Sequence, residues 1–218
     1  MTLELTLVRH GQTHLNARRM LQGRVDSPLT RTGLAGVRVT AQHLAGRPFD
    51  AAYSSPQGRA VATAVEICRH HPQLERLRTD ADLRELSFGV WERKPEHELE
   101  TVEPWSSLVP GMLAGTHPGL PGGESGAEFM TRVLAAFDRI VEAHPSGRVL
   151  VVGHGLTLGA WLAHLDPRAA GALPNASVST VVVDADGAHV LEVGRDVAGH
   201  GSIAARPLRT TSPAPVTA

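Results

Sequence analysis

The chain has 218 residues, a net charge of -1 and 42% hydrophobic residues, enough for one sizeable core with a small appended lobe. The charge balance excludes a general pull toward nucleic acid or a membrane surface, and the single cysteine, Cys68, excludes an internal disulfide. The N-terminus lacks a signal-peptide pattern and no apolar run approaches the roughly 20 residues of a membrane span, so a soluble cytoplasmic protein is expected.

In chain order, Leu3–Val8 is a strand-like apolar run that leads into Arg9-His10-Gly11. A polar loop follows, through Arg18-Arg19-Met20-Leu21-Gln22-Gly23 and Asp26-Ser27-Pro28. Leu34, Val37, Ala41 and Leu44 fall at helical spacing and predict a helix over about Thr30–Ala45. Ala51–Ser54 reads as a short strand. Ser55-Pro56 has the capping and first-position chemistry of a helix start. Val61, Ala64, Val65 and Cys68 would face inward, and Arg59 falls in the first turn, where free N–H groups also favour an anion. Leu77–Ala81 predicts another strand.

The segment Ser87–Gly123 changes character. It holds Trp91 and Trp105 and prolines at 95, 104, 110, 118 and 121, with weak periodicity, as expected of a small, partly helical cap. Both tryptophans read as packing residues. A capping box at Ser125-Gly126-Ala127-Glu128 starts a long helix whose inner face is Phe129, Val133, Phe137, Ile140 and Val141. Pro145-Ser146-Gly147 ends it. Arg148–Gly153 is a second apolar run, and like the first it stops at His-Gly, here His154-Gly155. A helix over Leu156–Leu165, a strand over Val178–Asp184, a turn at Asp186-Gly187 and a return strand over His189–Val193 complete the pattern. From Arg206 on, Pro, Thr, Ser and Ala dominate, as in a disordered tail. Residues 1–205 then form one domain and 206–218 the tail.

In an α/β sheet the carboxyl ends of parallel strands are where ligands bind, so two histidines at strand ends point to a site. Arg9 and Arg59 suit a phosphate dianion, because guanidinium grips its oxygens in bidentate fashion. His10 is the candidate nucleophile, since a neutral imidazole can carry a phosphoryl group and split one hard step into two. Glu85, in Leu83-Arg84-Glu85-Leu86, is the candidate proton donor to the leaving oxygen. His154 would stabilise charge on the transferring group. Histidine and carboxylate could also be zinc ligands, but flanking arginines would repel a divalent cation.

The ordered set Arg9-His10-Gly11-Gln12-Thr13, Asn16, Gln22-Gly23, Asp26-Ser27-Pro28-Leu29-Thr30, Ser54-Ser55, Arg59-Ala60, Thr63-Ala64, Glu85, Phe88-Gly89, Trp91-Glu92, Gly123-Glu124-Ser125 and His154-Gly155 resembles the histidine phosphatase superfamily, in its phosphoglycerate-mutase-like branch. The resemblance runs from about Leu3 to His200. It implies an α/β three-layer sandwich with a mixed, mostly parallel central sheet and a cap over the site. It implies His10 as the phosphorylated residue, Glu85 as proton donor, and Arg9, Arg59 and His154 around the phosphate, with further hydrogen bonds from Asn16, Gln22 and the Gly155 N–H. No metal or other cofactor is implied. Two departures stand out: Arg93 follows Glu92 where the family often has glycine, and Gln57-Gly58 replace larger residues ahead of Arg59.

The expected activity is hydrolysis of small phosphorylated metabolites by a broad-specificity phosphatase. A cofactor-dependent phosphoglycerate mutase is the competing reading, and a phosphate-binding protein without turnover a third. The expected partner is a small phosphorylated substrate, with neither nucleic acid nor membrane. The hairpin at Val178–Val193 offers an edge across which two copies could pair as a homodimer. His200 is a further residue that could reach the site.

Overall fold

Alternation along two neighbouring strands sets the centre of the protein. The computed structural model describes residues 1–199 and the backbone of Arg206–Pro207. Its strands are β1 (Leu3–Arg9), β2 (Ala51–Ser54), β3 (Leu77–Thr79), β4 (Gly147–Gly153), β5 (Val178–Asp184), β6 (Gly187–Arg195) and β7 (Arg206–Pro207). They form one sheet in the order β3-β2-β4-β1-β5-β6-β7. The first four are mutually parallel, and β5, β6 and β7 are each antiparallel to the strand before them in the sheet. Along β4, Val149 and Val151 join the core on one face and Leu150 and Val152 the core on the other, as the period of two requires.

Helices cover both faces, so the central strands are buried on each side. α2 (Arg31–Leu44) and α3 (Gly58–Cys68) supply Ala41, Leu44, Ala60, Ala64 and Ile67 to the core against Leu150 and Val152. On the opposite face α6 (Gly126–Ala143) and α7 (Gly155–Leu165) bring Phe129, Val133, Phe137, Leu158 and Trp161 onto Leu5, Leu7 and Val151. Phe137 and Trp161 stack there with ring centroids 4.0 Å apart. Helix α1 (His14–Ala17) is a single turn after β1. The cap comprises a short 3-10 helix (Gly89–Trp91), α4 (Glu96–Val102) and α5 (Trp105–Leu113), anchored in the same core by Leu99, Leu108 and Met112. Trp91 and Trp105 pack against that core. Among the described residues no helix is long and apolar enough to cross a membrane.

Most expected elements lie where periodicity puts them. Ser125 caps α6 through the reciprocal box with Glu128, and Thr30 caps α2 by accepting from Gly33 N–H. The third strand is shorter than expected: it stops at Thr79 and gives way to a 3-10 helix over Ala81–Leu83. The start of α3 also differs. The helix begins at Gly58 after Gln57, not at Ser55-Pro56, and no side chain of its own sequence caps it. The buried face is accordingly Arg59, Ala60, Thr63, Ala64 and Ile67, while Val65 is 43% exposed. At the C-terminal side, Arg206–Pro207 pairs with β6. His200 and the other expected tail positions lie outside the described residues.

The parallel pairing of β1 with β4 runs in register from Leu3 opposite Gly147 to Arg9 opposite Gly153. Both His-Gly dipeptides therefore emerge side by side at the carboxyl ends of two central strands, and His10 N–H continues the ladder to the Gly153 carbonyl at 2.9 Å. The start of α2 presses directly on this corner. A Cβ at Gly33 would stand 2.0 Å from the Gln12 carbonyl oxygen, and one at Gly11 would stand 2.5 Å from Val37 Cγ2. Gly33→Ala gains about 1 kcal/mol of helix propensity but collides with backbone that cannot rotate away. The net effect should be a loss of about 1–3 kcal/mol, read as a lower urea midpoint at unchanged slope.

Candidate active site

The two strand-end histidines meet. Their ring centroids are 5.2 Å apart at an interplanar angle of 62°, and both side chains are buried. His10 Nδ1 lies 2.8 Å from the Gly11 carbonyl. A carbonyl only accepts, so the Nδ1 proton belongs to this bond and Nε2 carries a lone pair. Burial, then Arg59, then Arg9 hold the His10 pKa well below the ordinary histidine value of 6.5. The same causes, with His10 and Arg132 added, act on His154. Both rings are neutral at pH 7.

Arg59 is 2% exposed and is fixed at several points. Its Nη2 donates to the Gly23 carbonyl at 2.8 Å, its Nη1 to the Val25 carbonyl at 2.9 Å and to Asp26 Oδ1 at 3.2 Å, and its Nε to His10 Nε2 at 3.3 Å. Asp26 also accepts from the backbone N–H of Arg59 at 3.3 Å. This carboxylate thus caps α3 from a distant loop, which is why the helix starts without a cap of its own. The departures at positions 57 and 58 find their reason here. A Cβ at Gly58 would sit 2.3 Å from Asp26 Oδ2. Gln57 donates to the Gly23 carbonyl at 2.9 Å and accepts from Glu85 N–H at 2.8 Å, stitching three segments of the site together.

Arg9 is held by the segment after α7. Its Nη1 donates to the Leu173 carbonyl, and its backbone N–H donates to the Ser177 carbonyl at 3.2 Å. Asn175 Nδ2 donates to the His10 carbonyl at 3.1 Å. Ala176, with a left-handed φ of 58°, turns its N–H onto the Arg9 and His10 carbonyls. Gly155, the first residue of α7, lies beside Arg9: a Cβ there would be in van der Waals contact with Arg9 Nε, at 3.4 Å.

Glu85 occupies the N-terminus of α7. Its Oε1 accepts from Thr157 N–H, Thr157 Oγ1 and Leu86 N–H, each at 3.0 Å, and its Oε2 accepts from Leu156 N–H alone at 3.1 Å. Its charge opposes the lowering of the Arg9 and Arg59 pKa values by burial, which places it electrostatically in the same cluster. Behind it, Arg24 and Arg132 donate to the Glu85 carbonyl at 2.8 and 3.2 Å and share Glu124.

Five expected residues, Arg9, His10, Arg59, Glu85 and His154, therefore converge, with Gly155 beside Arg9. Asn16 and Gln22 are tied to Thr13. Asn16 Oδ1 accepts from Thr13 N–H at 3.2 Å and from Asn175 Nδ2 at 3.4 Å, and Thr13 Oγ1 lies 2.9 Å from Gln22 Oε1. No hydrogen bond among the described residues joins either amide to the five side chains. Ser55, Asp26, Asn175, Thr157 and Arg132 have roles that the sequence reading did not assign. Two buried donors or acceptors of the cluster, Arg9 Nε and His154 Nδ1, have no hydrogen-bond partner among the described residues. With His10 Nε2 facing a guanidinium at 3.3 Å, the centre is built for an anion and would repel a metal cation.

Burial is the largest cause of the lowered histidine pKa values and Arg59 the next. A nearby cation disfavours the imidazolium, so removing it must raise the pKa. In Arg59→Met both histidines should titrate closer to 6.5 than in the native chain, while remaining below it. Imidazole NMR titration of the two proteins checks this, and unchanged midpoints would contradict the geometry.

The sequence model of the Histidine phosphatase superfamily (branch 1) matches residues 5–196. The protein named "Probable phosphoglycerate mutase GpmB" of Yersinia enterocolitica is 38% identical over 165 residues, 75% of this chain and 74% of its own. Among solved structures, a phosphoglycerate mutase from Bacillus anthracis matches with a TM-score of 0.78 at 29% identity, covering 90% of this chain and 95% of its own. A mycobacterial glucosyl-3-phosphoglycerate phosphatase solved with VO3 matches with a TM-score of 0.75 at 25% identity, covering 86% and 96%. The chain belongs to the histidine phosphatase superfamily, branch 1, a family of phosphatases and mutases.

Proposed function

We propose that the protein is a phosphomonoesterase that hydrolyses small phosphorylated metabolites through a phosphohistidine on His10. The observation that carries this reading is a pair of buried nitrogens, Arg9 Nε and His154 Nδ1, with no hydrogen-bond partner among the described residues, in the cluster that holds the lone pair of His10 Nε2. A buried donor without an acceptor is costly, about 1–3 kcal/mol. A phosphoryl group brings three acceptor oxygens and negative charge to exactly such donors.

In this scheme His10 Nε2 attacks phosphorus and the bond to the leaving oxygen breaks. The His10 Nδ1–H bond to the Gly11 carbonyl orients the ring and supports the positive charge that forms on it. Arg9, Arg59 and His154 stabilise the charge spread over the transferring oxygens. Glu85 takes up a proton as the phosphate dianion binds beside it and gives that proton to the leaving oxygen through Oε2, the oxygen with fewer hydrogen bonds. It then takes a proton from water as the water attacks the phosphohistidine and releases phosphate. Asn16, Gln22 and the Gly155 N–H support the cradle.

The names of the relatives favour a second reading, phosphoglycerate mutase, which shares the first half of this path. A mutase must retain a bisphosphate while it reorients. The cap, Ser87–Gly123, is short and has only Arg93 and Lys94 as lysine or arginine, few cations to retain such an anion, and this favours transfer to water.

Rapid quench with labelled p-nitrophenyl phosphate should trap an acid-labile phosphoenzyme in the native chain and none in His10→Ala, which should also lose turnover. With 3-phosphoglycerate, release of phosphate should outpace isomerisation, and the reverse order would make the enzyme a mutase. Glu85→Gln should slow alkyl phosphates by about 100-fold or more and nitrophenyl phosphate much less, because nitrophenolate leaves without a proton. Equal losses on both esters would remove Glu85 from the acid's role.

A further inference from the structure

We infer that Ser55 is a positioning residue for this chemistry: its hydroxyl donates to His154 Nε2 and holds that ring with its proton on Nδ1, the nitrogen without a hydrogen-bond partner among the described residues. The inference rests on the proposed phosphoryl transfer for its purpose, but on geometry alone for the tautomer. Ser55 Oγ lies 2.7 Å from His154 Nε2, across 99 positions of sequence, and both residues are fully buried.

The direction of this bond follows from counting donors. Ser55 Oγ already accepts from Gln57 N–H at 3.3 Å. Among the described residues its own proton has one acceptor in reach, His154 Nε2. If the hydroxyl donates, the ring proton goes to Nδ1 and one buried group is left without a partner, the Nδ1–H. If the ring donates instead, two are left, the serine proton and the Nδ1 lone pair. Buried polar groups are rarely unpaired, so the first arrangement is favoured. Its leftover group is a donor, and a phosphoryl oxygen satisfies a donor but not a lone pair.

The placement of Ser55 is rigid. Its N–H donates to the Val152 carbonyl at 3.0 Å, which extends the pairing of β2 with β4, and Ser54 Oγ donates to the Ser55 carbonyl at 2.8 Å. Burial and the adjacent cations keep His154 neutral, so the ring has one proton to offer and its location decides whether the ring can stabilise negative charge. This accounts for Ser55 standing outside α3. Its bonds to the Val152 carbonyl and to His154 hold it at the strand end, and Asp26 supplies the cap of that helix.

The test uses the full chain labelled with 15N-histidine. Long-range proton–nitrogen correlation should show His154 protonated at Nδ1 and bare at Nε2. In Ser55→Ala the ring should shift toward the Nε2–H form, with His10 unchanged. Affinity for vanadate and kcat/KM for p-nitrophenyl phosphate should each fall by about 10–100-fold, the scale on which groups orienting a functional histidine act. A native His154 protonated at Nε2, or a Ser55→Ala protein with unaltered tautomer and vanadate affinity, overturns the inference. If the variant fails to fold, the native spectrum still decides. If the native chain turns over no phosphomonoester, the proposed function falls, while the tautomer and vanadate measurements still judge Ser55.

Discussion

One buried guanidinium, that of Arg59, and one half-buried, that of Arg9, share a cluster with two buried imidazoles, and the rest of the site exists to make this tolerable. Burying a charge costs several kcal/mol even after relaxation. The protein offsets the cost for Arg59 with the Gly23 and Val25 carbonyls and the Asp26 carboxylate, and for Arg9 with the Leu173 carbonyl and the nearby charge of Glu85. The imidazoles contribute by staying neutral. The compensation is incomplete, since Arg9 Nε and His154 Nδ1 have no hydrogen-bond partner among the described residues. A fully satisfied cluster would be more stable and would have no affinity left for an anion. Under the proposed function, that deficit is binding energy held in advance for the phosphoryl group.

The helix N-termini of the site are already occupied by the protein's own carboxylates. Free N–H groups at the start of a helix invite a phosphate, and the first turn of α3 looked suited to that. The structure instead gives the N-terminus of α3 to Asp26 and that of α7 to Glu85. In the proposed reaction, anion recognition therefore falls mainly on side chains whose orientation is set by tertiary contacts, with the Gly155 N–H beside them. Glu85 in turn is fixed by Thr157 and by its own neighbour Leu86, so the group proposed to move a proton is anchored on a helix end and not on a mobile loop.

What was legible in the sequence follows from the range of the interactions involved. Helix α2 and the long α6 are written in local periodicity and local caps, and both appear as expected. Arg9, His10 and His154 were legible because two apolar strands end in the same dipeptide, and parallel pairing of those strands brings their ends together. The start of α3 was misplaced because Ser55-Pro56 carries a local capping pattern that a distant contact overrides: Ser55 turns to His154, and Asp26 caps in its stead. Val65 was expected inside for the same reason, since drawing Arg59 inward rotates the buried face onto Ala60, Thr63 and Ile67. Asn175 and Arg132 gave no local signal at all. Their partners, the His10 and Glu85 carbonyls, lie far away in sequence.

The cap and the phosphate cradle are mechanically one unit, and Glu92 is the link. From the cap its carboxylate accepts from Arg24 N–H at 2.9 Å, Val25 N–H at 3.2 Å and Phe88 N–H at 3.2 Å. It presses so closely on Gly23, whose φ is 53°, that a Cβ there would lie 2.4 Å from Glu92 Oε1. The same short loop presents the Gly23 and Val25 carbonyls that aim Arg59 at His10. A substitution that shifts the cap pulls on Glu92, then on this loop, then on the guanidinium. Changes of substrate in such a fold cannot be confined to the residues that touch the substrate's organic part, because the loop that orients the phosphate-binding arginine hangs from the cap itself.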